Sequence, residues 1–217
     1  MTTNQESLAA LLESGWSLYH QGKHQAALKD LRQALALSSE SSVTHYRLGF
    51  CHRALDQSKE ALYHFREAAR LEPENPWTSY QIGKELALRR RLREALPELA
   101  KTIQRHPLFP DAYHDAASCL ANLGSFESAA LCYSMCALLC DVAGGEGVYT
   151  AVTTALLKSS SDQLKTLLGL KRYAAIQERL LATLGLRDEP KPGDIITRTA
   201  VEAVAHEIVS IIGQIQK

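Results

Sequence analysis

The small and apolar residues in the first two thirds of the chain recur at an interval of 34 residues. Two positions of each interval hold a small residue and a third holds a large apolar one: Gly15, Gly49, Gly83 and Ala117; Ala27, Ala61, Ala95 and Ala129; and Leu31, Phe65, Leu99 and Tyr133. Small side chains let two helices approach closely, and the large residue fills the space beside them. Because one helix pair cannot bury its apolar face alone, the pattern predicts several stacked pairs.

The interval predicts four repeats, each a helix, a turn and a second helix, over residues 8–41, 42–75, 76–109 and 110–143. After residue 143 the interval is lost, and residues 144–217 are predicted to form a C-terminal helical region that caps or extends the repeats. Its capping and breaking residues predict a helix from Val148 to Lys158, another from Ser161 or Asp162 to a stop at Gly185, a linker at Pro190, Pro192 and Gly193, and a last helix from Asp194.

The predicted last helix carries an apolar stripe at helical spacing: Ile196, Ala200, Val204, Ile208, Ile212 and Ile215. A stack of repeats needs its open end covered, so the first interpretation is that the C-terminal helices pack on the fourth repeat. Two other interpretations stay open, in which the stripe forms the seam of a homodimer or folds into the groove of the repeats.

These columns resemble the tetratricopeptide repeat family. The resemblance implies an all-α fold, a right-handed solenoid of four helix-turn-helix repeats with additional C-terminal helices. Four features depart from the family pattern: Leu11, His45, Ser79 and Tyr113 where Trp is favoured, Ala117 for Gly, Asp141 for Pro, and Arg90 where a turn Gly is expected.

The family resemblance also implies that the first helix of each repeat lines a concave groove. In the first three repeats the inward positions hold Ala9, Leu12, Trp16, Tyr19, Val43, Tyr46, Phe50, Arg53, Trp77, Tyr80, Lys84 and Ala87. Half of these are aromatic, whereas 6% aromatic residues overall would place fewer than one there. Exposed rings usually mark a binding site, which predicts a partner-binding groove at Leu12, Trp16, Tyr19, Tyr46, Phe50, Arg53, Trp77, Tyr80 and Lys84. The alternative is that the tail or a second copy covers them.

The carboxylate clamp known in this family holds its ligand with Lys, Arg and Asn side chains. The matching positions here are Leu12, Trp16, Arg47, Trp77 and Gln81, so we expect no such clamp. A narrower resemblance is to bacterial type III secretion chaperones, carried by Tyr46 to Leu55, Ala61 to Phe65, Ala116 to Leu120 and Leu123-Gly124. The lead hypothesis is a non-catalytic adaptor that binds a protein segment, and the alternative is a chaperone for a translocator or effector client.

Charge and composition narrow the remaining function classes. Lys and Arg number 24, as do Asp and Glu, so no net field attracts nucleic acid. The polar start of the chain lacks the features of a signal peptide, and charges interrupt the late apolar stretch, so we expect no membrane span. Five cysteines without framework spacing indicate reduced thiols, and we expect a cytoplasmic protein.

Three side-chain clusters remain as weaker candidates. Cys132, Cys136 and Cys140 lie on one predicted helix face, with Cys119 and His114 on its partner helix; we interpret them as small buried residues and expect no metal or cofactor. Arg89, Arg90, Arg91 and Arg93 form a basic turn that we interpret as a solvated surface. An enzyme could be built only around His114, Asp111 and Asp115, and no nucleophile or phosphate-binding motif accompanies them.

Overall fold

The computed structural model describes residues 2–142, 160–186 and 197–215, and within these ranges it contains helices and turns but no strand. The predicted all-α class is therefore confirmed. The predicted helix Val148–Lys158 and the predicted linker at Pro190, Pro192 and Gly193 lie outside the described residues, as do Asp194 and Ile196. The chain divides into two compact units, residues 1–85 and 86–217, with the boundary inside one helix.

In the first unit the helices pack as antiparallel neighbours. Helix α1 (Thr2–His20) packs on α2 (His24–Leu37), α2 on α3 (Ser42–Ala54), and α3 on α4 (Ser58–Leu71). The next helix, α5 (Pro76–Leu88), begins 34 residues after α3. The side chain of Ser41 accepts a hydrogen bond from the Thr44 backbone N–H and caps the start of α3.

The small residues of the sequence pattern lie where paired helices touch. A Cβ atom added to Gly49 would come within 2.5 Å of the Phe65 ring, and one added to Gly15 within 2.8 Å of Leu31. Ala27 and Ala61 are fully buried, as are Leu31 and Phe65. The interval of 34 residues thus arises because the same helix-to-helix contact is repeated along the chain.

We therefore expect Gly49→Ala to lower the free energy of unfolding by about 1–3 kcal/mol, because the buried Phe65 ring must move away. Gly213→Ala is the matched control, since the same change there meets no atom within 4 Å and removes a helical glycine. Denaturant unfolding measures both. An equal effect of the two substitutions would contradict the close contact between α3 and α4.

Each repeat turns between its two helices through a residue of positive φ, at Gly22, Asp56, Arg90 and Gly124. In every case the next residue donates its backbone N–H to a carbonyl five residues earlier, for example Gln57 to His52 at 2.9 Å. Arg90, which departs from the family's glycine, adopts φ 60° and so keeps the same turn.

The second unit contains α6 (Leu92–Arg105), α7 (Pro110–Asn122), α8 (Phe126–Val142), the helical residues 160–168 (α9), α10 (Leu170–Thr183) and α11 (Arg198–Ile215). Helix α7 packs on α6 and α8, and α10 packs on α8. The single helix predicted from Ser161 or Asp162 to Gly185 is wrong in one respect. It is interrupted at Gly169, whose φ of 79° does not fit a helix.

Helix α11 packs mainly on α6 and touches α8 and α10 less. The centre of its apolar stripe is buried, with Val204, Ile208 and Ile212 each 1% exposed, and Ala200 and Ile215 are partly buried. The Arg93 guanidinium donates a hydrogen bond to the Ile215 carbonyl at 3.1 Å and satisfies the helix end. A stripe that is already buried within the chain is not a free seam, so the predicted homodimer surface on this helix is corrected.

Candidate functional site

Four aromatic side chains of the first unit meet on the helices α1 and α3. Trp16 and Tyr19 stack at 4.9 Å between ring centres, and Trp16, Tyr19 and Tyr46 each meet Phe50 edge to face at 5.7, 5.9 and 5.0 Å. All four are half-buried, so each keeps part of its ring in contact with solvent. We call Trp16, Tyr19, Tyr46 and Phe50 the aromatic surface.

Helical spacing and one buried ring position the aromatic surface. Residues three or four apart share a helix face, which brings Trp16 beside Tyr19 and Tyr46 beside Phe50. Below them Phe65 of α4 is fully buried, perpendicular to Phe50 with 5.5 Å between ring centres. The fully buried Phe65 side chain therefore supports the surface from the core of the second repeat.

Arg53 borders the aromatic surface and compensates a buried carboxylate. Its guanidinium lies 5.3 Å from the Phe50 ring centre and 4.8 Å from that of Phe65. Its Nε donates to Glu85 Oε2 at 2.9 Å, and its Nη1 donates to Gln81 Oε1 at 2.6 Å. Because Glu85 is only 1% exposed, its carboxylate balances most of the positive charge of Arg53.

Arg47 borders the surface on the side of α1. It donates from Nη1 to the Leu12 carbonyl at 2.6 Å, lies 5.4 Å from the centre of the Trp16 ring, and reaches Glu13 at 3.5 Å. Leu12 itself is partly buried against the core around Ala27. Arg47 thus holds α1 against α3 and fixes the orientation of Trp16.

The two tyrosines of the surface keep their protons at neutral pH. Burial raises the pKa of both Tyr19 and Tyr46, while Arg53 opposes the shift in each case and a hydrogen bond with Gln81 also opposes it for Tyr46. Both hydroxyl groups can therefore donate hydrogen bonds, and the surface presents uncharged rings with polar tips.

The remaining predicted groove residues lie on α5. Trp77 is 41% exposed, and its backbone N–H donates to the Asn75 side chain at 3.0 Å. Tyr80 is buried at 4% exposure, with the Lys84 ammonium 3.2 Å from its hydroxyl and above its ring. The sequence predicted Tyr80 as a ring open to a partner, whereas the structure encloses it.

Comparison with known proteins agrees with the repeated architecture. Models of the tetratricopeptide repeat match residues 4–42, 42–75 and 80–135, together more than half of the chain. The chain belongs to the tetratricopeptide repeat family. Curated protein sequences give no significant match.

Solved structures similar to this tetratricopeptide repeat protein include three with different roles. The O-GlcNAc transferase of Thermobaculum terrenum has a TM-score of 0.59 and 17% identity, covering 63% of this chain and 27% of the transferase. YrrB, described as a TPR protein with an unusual peptide-binding site, has a TM-score of 0.56 and 23% identity, and the match covers 77% of this chain and 84% of YrrB. The Yersinia enterocolitica type III secretion chaperone SycD, in complex with a peptide of the translocator YopD, has a TM-score of 0.50 and 21% identity. The match covers 55% of this chain and 94% of the chaperone.

These likenesses show a shared fold. The chain spans about a quarter of the transferase, 27% of its length, so the transferase activity belongs to a much larger protein. Members of the tetratricopeptide repeat family are in general scaffolds for protein interaction, and this repeat protein has that architecture.

The basic turn predicted from the sequence has internal partners in this repeat protein. Arg90 donates to the Asn122 side chain at 2.9 Å, Arg91 pairs with Glu94 at 2.6 Å, and Arg93 holds the end of α11. These contacts stabilise the second unit locally. Among the described residues no helix is long and apolar enough to cross a membrane.

Of the cysteine and histidine candidates of the fourth repeat, Cys119, Cys132 and Cys136 are buried, whereas His114 and Cys140 are partly exposed. Burial raises the pKa of Cys119 to about 12, and the described residues contain no group of three metal-ligating side chains suited to an ion. His114 Nδ1 lies 3.3 Å from Asp115 Oδ1, and its ring meets Tyr133 edge to face at 5.6 Å. The imidazole and carboxylate form a pair on α7, and we assign no reaction to them.

Sequence reasoning missed two arrangements of the first unit. The ion pair between Arg53 and Glu85 joins α3 to α5, and three histidines, His45, His52 and His64, meet between α3 and α4. The eight histidines occupy different repeat positions in the sequence, so the 34-residue interval did not predict that these three would be in contact across two helices. The spacing of seven between His45 and His52, two turns on one helix face, was the available signal.

Proposed function

We propose that this tetratricopeptide repeat protein is a non-catalytic adaptor that binds a segment of a partner protein on the aromatic surface. The observation that carries the proposal is the contact of four half-buried rings on two neighbouring helices. Aromatic side chains supply large contact areas with few rotatable bonds, and such residues dominate the energy of protein interfaces.

The chemistry of the surface indicates which segment it would accept. The rings are uncharged and the nearby Arg53 is paired with Glu85, so apolar side chains gain most from binding there. The tyrosine hydroxyl groups and the Arg47 guanidinium at the border can bind backbone carbonyls of an extended peptide. The peptide-binding site named for YrrB and the peptide complex of SycD are precedents within the same fold.

A photo-crosslinking experiment tests the proposed site directly. A benzophenone amino acid replaces Tyr46 in one variant and Tyr63 in another, and both are irradiated in the native cell. Tyr63 is the matched control because it lies in the same repeat on α4 and is 58% exposed. We expect one partner to crosslink at position 46 and not at position 63. The reverse pattern would contradict the proposal, and a crosslinked second copy would identify self-association instead.

The second candidate is a chaperone that holds a secreted client, favoured by the similarity to SycD over 94% of that protein. A chaperone keeps its client unfolded and associated, whereas an adaptor binds a partner that folds by itself. Purifying the crosslinked partner alone separates the two functions. A partner that stays folded and monomeric supports the adaptor, and one that aggregates without the repeat protein supports the chaperone.

The proposal places the protein in the cytoplasm. Burial raises the pKa of the thiol of Cys51 to about 11 and that of Cys119 to about 12, so both stay protonated in the interior of the fold. Buried thiols of this kind fit a reducing compartment.

A further inference from the structure

Three histidine rings pack against one another between α3 and α4. His45 and His52, on α3, are 5% and 3% exposed, and His64, on α4, is partly buried between them. The His64 ring centre lies 5.2 Å from that of each of the other two, nearly parallel to His52. His45 occupies the position at which the family favours tryptophan, so an ionisable ring stands where an apolar ring is usual.

The hydrogen bonds of this histidine cluster require a neutral His45 ring. His45 Nε2 donates to the Ser39 carbonyl at 3.3 Å, which leaves its Nδ1 as an acceptor for the Nδ1–H of His64 at 3.0 Å. His52 donates from Nδ1 to the Gln57 side chain at 2.7 Å. A proton added to Nδ1 of His45 would set two donors against each other across 3.0 Å, so that protonation and this hydrogen bond exclude each other. His64 can accept a proton on Nε2 without losing the bond, but its positive charge would then be buried beside two histidines and near Arg32.

The charges around the cluster act mostly in the same direction. Arg32 of α2 and the two histidines of α3 disfavour a positive charge on His64, and Glu67 of α4 favours it. Tyr63 of α4 adds a neutral ring 6.5 Å from that of His45. Glu67 is the carboxylate of this set, and it also pairs with Arg70 at 3.0 Å, so it offsets only part of the cost of a charged His64.

The cluster and the aromatic surface share α3. His45 and His52 lie on the same helix as Tyr46 and Phe50, and α4 supplies both His64 and the supporting Phe65. A change in the packing of α3 on α4 must therefore move two rings of the aromatic surface relative to Trp16 and Tyr19.

We propose that His45, His52 and His64 form an acid-sensitive contact that loosens the second repeat and disperses the aromatic surface when the protein is acidified. The contact is a property of the free protein and does not depend on whether a partner binds to the aromatic surface. Acidification to about pH 4, where His64 becomes charged in the folded protein, would then weaken any interaction that uses Tyr46 and Phe50.

The pH window follows from His64. Burial, with the neighbouring histidines and Arg32, lowers its pKa from 6.5 to about 4. Between about pH 6.5 and pH 4 the unfolded chain binds a proton at His64 that the folded protein does not bind. The free energy of unfolding is therefore unaffected by this residue above pH 6.5 and decreases as the pH falls from 6.5 to about 4. Between pH 7.5 and 5.0 the equilibrium constant for unfolding should rise about ten- to thirtyfold through this residue.

The test is denaturant unfolding of the full chain at pH 7.5 and 5.0, in a Trp77→Phe background so that the fluorescence reports Trp16. We expect His64→Gln to reduce the pH effect by about tenfold or more, since Gln still donates to His45 but does not titrate. His206→Gln, at an exposed position of α11, should leave the effect unchanged. The same pH effect in the His64 variant as in the parent would overturn the proposal.

A second measurement on the unaltered protein guards against a variant that folds poorly. Nuclear magnetic resonance follows each imidazole through an acid titration of the full chain. We expect His64 to stay neutral at pH 5.5 and the resonances of Trp16 and Phe50 to shift as it becomes charged. Titration of His64 near pH 6.5 would overturn the inference.

Discussion

Replacing Arg53 by methionine is expected to lower the free energy of unfolding by about 3–5 kcal/mol, because it leaves the Glu85 carboxylate buried without its ion partner. Glu85 is 1% exposed, and the Ser58 hydroxyl, which donates to its Oε1 at 2.6 Å, does not supply the positive charge that Arg53 supplies. Methionine retains much of the contact with Phe50 and Phe65, so the measured loss reports the charge. Denaturant unfolding of the full chain gives the value.

Two further variants make the Arg53 prediction specific. The double variant Arg53→Met with Glu85→Gln should recover most of the lost stability, because it removes the buried negative charge that Arg53 balances. Arg91→Met should change the free energy of unfolding little, since its partner Glu94 is 54% exposed. Equal losses for Arg53→Met and Arg91→Met would show that burial of Glu85 does not govern this contact.

The second large effect concerns partner affinity. Trp16→Ala is expected to weaken binding of the crosslinked partner by about thirtyfold, equivalent to roughly 2 kcal/mol. The indole contacts Tyr19, Phe50 and Arg47, so its removal takes away both its own binding area and the alignment of its neighbours. Titration calorimetry with the purified partner measures the affinity, and far-ultraviolet circular dichroism checks that the helices remain.

Two controls accompany Trp16→Ala. Tyr63→Ala removes an exposed ring from α4 of the second repeat and should leave the affinity within about twofold, because the side chain lies outside the aromatic surface. Arg90→Ala tests the basic turn and should also change affinity little. Loss of binding in the Arg90 variant alone would instead identify an anionic partner and an interface in the second unit.

The repeats were predictable because one physical contact recurs. Gly49 and Ala61 must be small where α3 meets α4, and each repeat of that contact requires a small residue at the same position of the repeat. The same repeat positions predicted that Tyr46 and Phe50 share a helix face, and their ring centres lie 5.0 Å apart. Arg90 shows that a non-glycine residue can keep the turn at positive φ.

The remainder depends on contacts that are specific to one place in the chain. Charged residues are rarely buried, so nothing in the sequence marked Glu85 as an interior carboxylate. Tyr80 was assigned to an open face by its repeat position but is 4% exposed. The sequence predicted that Gly169 lies inside a helix, but its φ of 79° interrupts the helix there. Each outcome follows from tertiary packing rather than from local propensity.

Hydroxyl-radical footprinting of the complex between the full chain and its purified partner tests the central claim without altering any residue. Radicals oxidise aromatic side chains in proportion to their exposure, and the half-buried rings of the free protein remain accessible. The account predicts that oxidation of Trp16, Tyr46 and Phe50 falls several-fold in the complex while that of Tyr63 is unchanged. Unchanged oxidation of these three rings, with protection of Tyr63 or of the exposed Leu170 instead, would contradict it.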